Sequence, residues 1–217
     1  MIEETKKQNV ITVRIFDLFS GGQNELRQGI KDVASTLGKS ELIGPLYTIT
    51  HELTVNGLKA VYKRVFYERF ISEIGMDDVG YEQWLMLFKT EIEEHNAENF
   101  ARVVREMGTE VEVHIRLGAR KLRVSVINEG TPSDIELERL RRSILRSRSV
   151  TDLGELIEMQ DESGRGEGAS LGLPLIILSL RRLGVGQGGF RVGVRRGHTV
   201  ASFVVPRPQL ENYDMDA

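Results

Sequence analysis

Alternation of apolar and polar residues predicts strands in three parts of the chain. VITVRIFDL, at residues 10–18, has the period of a half-buried strand. EVEVHIRLGARKLRVSVINEG, at residues 110–130, has two alternating runs around a Gly-Ala-Arg turn, a pattern typical of a β-hairpin. GGFRVGVRRGHTVASFVVP, at residues 188–206, predicts a second, closing hairpin.

Helical periodicity fills most of the sequence between these strands. It predicts helices over residues 24–37, with Asn24 as the cap, over 43–74, with GMDDVG as the stop, over 80–107 as one or two helices, over 135–148, and over the apolar stretch 171–184. Together with the strands, these elements predict an α/β (α+β) two-layer sandwich, in which a mixed sheet is covered on one face by helices.

A chain of 217 residues is long enough to bury one substantial core. We expect residues 1–42 to supply a strand and a helix that pack on this core, and residues 43–207 to form the main domain. The last residues, 208–217, are acidic and predict a loose tail.

Composition excludes several classes of function. The chain has no cysteine and four scattered histidines, so the sequence predicts neither a disulfide framework nor a zinc site. It is 40% hydrophobic and 28% charged, without a long apolar run, which predicts a soluble, cytoplasmic protein. The 29 basic residues are offset by 32 acidic ones, so we expect neither a nucleic-acid nor a membrane partner.

The stretch THELTVNGLKA, within the long predicted helix, carries the first candidate chemistry. Glu52, Asn56, Lys59 and Lys63 are spaced i, i+4, i+7 and i+11 and so share one helix face. One interpretation is an ordinary solvated face. The other is the magnesium and phosphate side of a nucleotide pocket, which requires further parts of the chain.

Three later segments have the composition of those parts. They are VSVINEGTP at 124–132, GRGEGASLGLPL at 164–175 and GHTVASFVVP at 197–206. Glycines let backbone amides approach phosphate oxygens, and a helix that starts behind them adds its positive dipole end. Each segment by itself is a weak signal.

In this order and spacing, the motifs resemble the histidine kinase-like ATPase domain of the GHKL superfamily, over residues 43–207. The resemblance implies binding of ATP and magnesium between the helix and a lid. It also implies that Asn56 is the magnesium ligand, Glu52 a general base and Lys59 a phosphate contact.

The first glycine motif departs from the family pattern of an aspartate followed by Gly-x-Gly. Here the aspartate position is Asn128, Gly130 is kept, and the second glycine position is Pro132. The resemblance implies that Asn128 and Thr199 hold the adenine. An asparagine oxygen still accepts a hydrogen bond, but without the strengthening that charge gives.

The second glycine motif, Gly168-Ala169-Ser170-Leu171-Gly172-Leu173, has serine in place of one family glycine. The segment before it, at about residues 149–167, corresponds to the lid. The resemblance implies that the lid and this motif contact the nucleotide through Arg165, Gly166, Gly168, Ser170, Leu171 and Gly172.

Residues 66–107 form a helical insertion relative to histidine kinases. Its aromatic residues Tyr81, Trp84 and Phe88 could have either of two structural roles. We expect core filling; the alternative is a surface for a homodimer or a partner protein.

His51 allows a competing hypothesis, since His-Glu-Leu also begins the phospho-acceptor motif of histidine kinases. That motif is followed by an ATP-binding domain with its own asparagine helix. Downstream, Asn96 and Asn99 lack the Glu-x-x-x-Asn context. We therefore expect His51 to be a helix residue near the pocket edge.

A cluster of five arginines lies in the predicted helix after the first hairpin. These arginines spread over more than one helix face, which favours solvent exposure and salt bridges. An acidic partner protein is the alternative. The cluster consists of Arg139, Arg141, Arg142, Arg146 and Arg148.

The leading functional hypothesis is an ATP-binding signalling protein that acts as a protein kinase, on serine or histidine, or as an ATPase. Because the chain lacks its own phospho-acceptor hairpin, its substrate would be a separate regulatory protein, as for the anti-sigma-factor serine kinases that it resembles. The alternative is a binding module or scaffold in which the changes at Asn128, Pro132 and Ser170 have removed turnover.

Overall fold

The structure is a computed structural model that describes residues 9–17, 22–74, 80–94, 97–152, 154–155 and 172–214. Five strands in this part of the chain form one sheet: β1 (Asn9–Ile15), β2 (Val111–Leu117), β3 (Lys121–Glu129), β4 (Phe190–Arg195) and β5 (His198–Pro206). The helices are α1 (Gly22–Leu37), α2 (Ile43–Ile74), α3 (Tyr81–Glu94), α4 (Ala97–Glu106), α5 (Asp134–Ser149), α6 (Gly172–Arg182) and α7 (Arg207–Glu211). None of these helices is long and apolar enough to span a bilayer.

The strands lie in the order β1-β2-β3-β5-β4, and each neighbouring pair is antiparallel. The prediction of a mixed sheet was therefore wrong for the described strands. The reason is that β5 inserts between β3 and β4. Strands β3 and β4 run in the same direction, but the β4–β5 hairpin places β4 at the edge of the sheet. Strand β3 therefore has no parallel neighbour.

One face of the sheet is buried and the other is open, which confirms the two-layer arrangement. In β2 and β3 the buried positions alternate with more exposed ones. The register pairs Val113 with Val126 and Ile115 with Val124, and all four side chains are at most 1% exposed. Helices α1 and α2 contact this sheet, and α6 packs on α2.

Helix α2 has the bounds that the sequence predicts, Ile43–Ile74, and it approaches the sheet most closely at Gly57. A Cβ atom on Gly57 would lie 3.3 Å from Val111 Cγ1 and 3.4 Å from Val126 Cγ1. The absence of a side chain therefore sets the spacing between α2 and strands β2 and β3. Helix α1, in contrast, begins at Gly22, ahead of the predicted cap at Asn24.

Residues 66–107, the predicted helical insertion, contain the end of α2 together with α3 and α4. Trp84 and Phe88 are 8% and 4% exposed, and their rings stack with centroids 5.9 Å apart. Both also contact the ring of Phe66. Core filling is thus confirmed for Trp84 and Phe88, whereas the side chain of Tyr81 lies outside the described part of the structure.

The predicted loose tail over residues 208–217 is wrong for the described part, 208–214; residues 215–217 lie outside the described structure. Helix α7 covers the first part of this segment, and Leu210 is fully buried. Tyr213 also packs against the core, and its carbonyl accepts a hydrogen bond of 3.0 Å from Lys39 Nζ. Two apolar side chains three positions apart are enough to hold this acidic segment on the fold.

Tyr62, on α2, predicts a loss of stability at high pH. Burial, with the nearby Asp17 carboxylate second, raises the pKa of its phenol to about 12. Between pH 10 and 12 the unfolded chain loses this proton while the folded chain keeps it. The free energy of unfolding should therefore fall as pH rises through this range, by about 1.4 kcal/mol per unit and at most about 2.7 kcal/mol.

The test compares urea unfolding of the wild type and Tyr62→Phe between pH 8 and 11.5. The phenylalanine variant loses the hydrogen bond from the hydroxyl to the Phe16 carbonyl, 3.3 Å, at a cost of about 1 kcal/mol at neutral pH. Its stability should then fall less steeply in alkali. Equal slopes for the two proteins would contradict the assignment.

Candidate functional site

The site begins on α2, where the predicted polar face is present. Glu52 and Asn56 are half-buried and Lys59 is exposed. Leu53 and Thr54, on the neighbouring face, are 3% exposed and belong to the core side of the helix. The amphipathic pattern therefore positions the three candidate side chains away from the core, as a helix of this register requires.

The start of α6 lies against these side chains. A Cβ atom on Gly172, the first residue of α6, would be 2.6 Å from Glu52 Oε2 and 3.8 Å from Asn56 Nδ2. Helix α6 packs along α2. The fold thus brings the last glycine of the second motif to the carboxylate and amide of the helix motif, from a distant part of the chain.

A second group of candidate residues lies where β3 and β5 pair. Asn128 and Thr199 are directly opposite in the register. The Thr199 hydroxyl donates a hydrogen bond of 2.8 Å to the Gly130 carbonyl, and Gly130 N–H donates to the Gly197 carbonyl at 2.9 Å. Gly130 has a φ of 104°, which favours glycine because a side chain would be strained there.

Asn128 is 6% exposed, and its amide nitrogen donates to the Glu129 carbonyl at 3.3 Å. Among the described residues, its amide oxygen accepts no hydrogen bond. An amide oxygen without a partner is suited to accept a hydrogen bond from a donor such as an amino group.

Helix α2 connects the two groups. Gly57, next to Asn56, faces Val111, and Val111 is the register partner of Asn128. Two turns further along α2, Arg64 approaches the β3 end: its Nη1 would be 3.2 Å from a Cβ on Gly130. The helix motif, the start of α6 and the β3–β5 end therefore surround one region of the fold.

Arg64 is the residue of this region that the sequence analysis missed. Its guanidinium forms an ion pair of 3.0 Å with the Glu129 carboxylate and lies 3.6 Å from that of Glu68. Through Glu129 it ties α2 to the strand end that carries Asn128. Arginines are common on helices, so the residue type carries no signal. The only sequence signal for Arg64 is its position eight residues after Asn56, and that signal is weak.

Several predicted site residues cannot be placed. Arg165, Gly166, Gly168, Ser170 and Leu171 lie outside the described residues, as does most of the predicted lid, 149–167.

The start of that segment is held against α6. The Arg181 guanidinium, on α6, donates to the Val150 carbonyl at 2.5 Å and to the Arg148 carbonyl. This contact fixes the end of α5 against α6.

His51 lies on another side of α2. Its ring stacks on Tyr47, with centroids 5.5 Å apart and an interplanar angle of 11°. The guanidinium of Arg27, on α1, lies 5.0 Å from the Tyr47 ring centroid. His51 thus contributes to the surface between α1 and α2.

In the arginine cluster of α5, Arg142 pairs with Glu138 at 2.9 Å, as the salt-bridge interpretation predicts. Ser133 and Glu136 form a reciprocal capping box at the start of the same helix. Arg141 and Arg146 are exposed. The described contacts therefore agree with the interpretation of this cluster as a solvent-exposed helix surface with salt bridges.

No group of three or more histidine, cysteine, aspartate or glutamate side chains within the described ranges could hold a metal ion. Magnesium in nucleotide sites is commonly held by one or two protein oxygens together with phosphate oxygens.

Comparison with known proteins adds little about activity. No family model and no solved structure matches the chain. An uncharacterized protein of Treponema pallidum (strain Nichols) is 29% identical over 181 residues, which cover 83% of the chain. The match covers 34% of that protein, so the chain spans about a third of its relative's length.

Proposed function

We propose that the chain is an ATP-binding signalling protein with the histidine kinase-like ATPase fold, which works in the cytoplasm as a protein kinase or ATPase on a separate partner protein. The observation that carries this proposal is the approach of Gly172 to Glu52 and Asn56. The approach of the last glycine of the second motif to a Glu-x-x-x-Asn helix supports a phosphate and magnesium site there.

The residues present fit both magnesium and ATP. Asn56 supplies a side-chain amide oxygen, a donor that magnesium prefers, and Glu52 supplies a carboxylate that can act as a general base beside it. Because Gly172 has no side chain, the Glu52 carboxylate can lie against the start of α6, beside Asn56. Bound magnesium and ATP would supply a transferable phosphoryl group whose charge is partly neutralised.

Each residue then has one role. Asn56 would hold magnesium through its amide oxygen, and exposed Lys59 would offset phosphate charge. Glu52 would orient a hydroxyl or a water molecule and accept its proton.

On the adenine side, the free amide oxygen of Asn128 would accept a hydrogen bond from the base. Thr199, through its bond to the Gly130 carbonyl, would hold the loop that follows Asn128.

One observation favours a second candidate function, a catalytically degenerate scaffold that docks a regulatory protein. The Thr199 hydroxyl and the Asn128 amide nitrogen already bond to the protein's own loop. Asn128 also brings no charge to the adenine, so its hydrogen bond is roughly half as strong as that of an aspartate. Weak or absent nucleotide binding would follow.

The test of the proposed function is a thermal-shift titration with ADP and ATP, with and without magnesium. At a free nucleotide concentration of about 100 times the dissociation constant, the free energy of unfolding should rise by roughly 2.7 kcal/mol. For a chain of this size the melting temperature should rise by about 5–10 °C. No shift at millimolar nucleotide would overturn the proposal in favour of the scaffold.

The matched variant is Asn56→Ala. It should abolish the magnesium dependence of the shift while Lys59→Ala, on the same face, weakens nucleotide binding with magnesium dependence retained. An Asn56→Ala protein with unchanged magnesium dependence would contradict the role of Asn56.

A further inference from the structure

The open face of the sheet carries a cluster of positive charge at one end. Alternation along the strands directs four basic side chains to this face, because their neighbours Ile115, Leu122, Val124 and Phe190 are buried. We call these residues the cationic face: Arg116 on β2, Lys121 and Arg123 on β3, and Arg191 on β4.

The charges of the cationic face are not neutralised within the described part of the chain. No carboxylate there forms an ion pair or hydrogen bond with any of the four residues. Arg116 and Arg123 are also direct cross-strand partners, which places their Cβ atoms about 5 Å apart. Like charges in this position destabilise a sheet, so the arrangement favours an anionic group that relieves the repulsion.

The cationic face borders two adjoining cavities. One, of about 310 Å³, is lined by Arg116, Gly118, Lys121 and Arg123. The other, of about 510 Å³, is bordered by Lys121, Arg123 and Arg191. No acidic residue lines either cavity among the described residues.

The floor and wall of the larger cavity have little side-chain bulk. Besides Val185 and Gln209, the residues here are Ser202, Val204 and Pro206 on β5, and Gly186, Gly188 and Gly189 before β4. Gly186 and Gly188 have no atom within 4 Å of a Cβ position. A polypeptide backbone can therefore approach this surface closely, with cations on either side of it.

We propose that the cationic face is the docking surface for an acidic segment of a partner protein. The distance across β5 from β3 to β4 is about 10 Å. Successive carboxylates on one face of an extended segment are about 7 Å apart, so two or three of them would reach Arg116, Arg123 and Arg191. The valine and proline of the floor offer apolar contact to the side chains between the carboxylates.

A protein segment fits this surface better than a nucleic acid does. None of the residues that line the two cavities is aromatic, so there is no platform on which bases stack.

This inference does not depend on ATP binding. The cationic face lies on the opposite side of the sheet from α2 and the candidate nucleotide site. Both surfaces can be occupied at once.

The test uses a fluorescein-labelled 12-residue peptide of alternating glutamate and serine, with fluorescence anisotropy at 50 mM salt. The double variant Arg116→Gln with Arg123→Gln should bind it at least tenfold more weakly than the wild type. The control is Arg141→Gln with Arg146→Gln, which removes the same charge from α5 and should bind as the wild type does. A peptide in which glutamine replaces glutamate should not bind.

The thermal stability of the variants separates binding from folding. Since the Arg116 and Arg123 substitutions remove like-charge repulsion, that variant should melt no lower than the wild type. Equal peptide affinity for the wild type and this variant would overturn the proposal, as would a loss of binding in the α5 control instead. So would tighter binding of a 12-nucleotide oligothymidine with the same dependence on Arg116 and Arg123.

Discussion

Gly57→Leu should destabilise the protein by about 3 kcal/mol, because the new side chain has no space between α2 and the sheet. Even a Cβ atom at this position lies 3.3 Å from Val111 and 3.4 Å from Val126, and both valines are at most 1% exposed. The backbone of α2 must move away from β2 and β3 to accept leucine. The melting temperature should fall by about 6–12 °C.

The matched control is Gly44→Ala, in the first turn of the same helix. Gly44 is exposed, and a Cβ atom there meets nothing within 4 Å. The substitution should raise stability by about 0.5 kcal/mol, since alanine has the higher helix propensity. Calorimetry of both variants checks the pair. A Gly57→Leu protein as stable as the wild type would show that the stability of the fold does not depend on the close approach of α2 to the sheet.

Gly172→Ala should lower magnesium-dependent nucleotide affinity at least tenfold while the fold persists. The added Cβ would lie 2.6 Å from Glu52 Oε2, closer than unbonded atoms come. That oxygen ends a flexible side chain, so the carboxylate swings aside and the helices stay in place. The added methyl group and the displaced carboxylate then take up the space beside Asn56 in which the proposed site would hold magnesium and phosphate.

The measurement is isothermal titration calorimetry with ATP and magnesium, alongside a thermal melt. Gly188→Ala, at an exposed glycine with open space around it, serves as the control and should bind like the wild type. If Gly172→Ala binds nucleotide with wild-type affinity, the space between α6 and Glu52 is not part of a phosphate site. A shift in melting temperature of more than about 5 °C would instead show a role in folding.

The sequence predicted some residues of this region better than others. The helix motif was found because Glu52 and Asn56 obey helical spacing, and α2 has the predicted bounds. At Gly57, in contrast, the sequence indicates only a less regular helix at which a ligand or a strand could come close. The use of Gly57 as a contact with Val111 depends on where the sheet lies, and no local pattern contains that information.

The same distinction holds for the strands. Alternation predicted β2 and β3, and the hairpin pairing follows from the short turn between them. The sequence could not show that β5 lies between β3 and β4, because pairing between distant strands is decided by which edges remain free once the hairpins form. The mixed sheet was a wrong prediction for this reason.

The sequence by itself determined the local elements: the period of each strand, the extent of α2, and the polar face that carries Glu52 and Asn56. These depend on the spacing of side chains within a single element. Only the tertiary structure decided that Gly172 meets Glu52, that Arg64 ties α2 to Glu129, and that four cations gather on the open face. Those facts depend on contacts between elements far apart in the chain, which packing of the whole core selects.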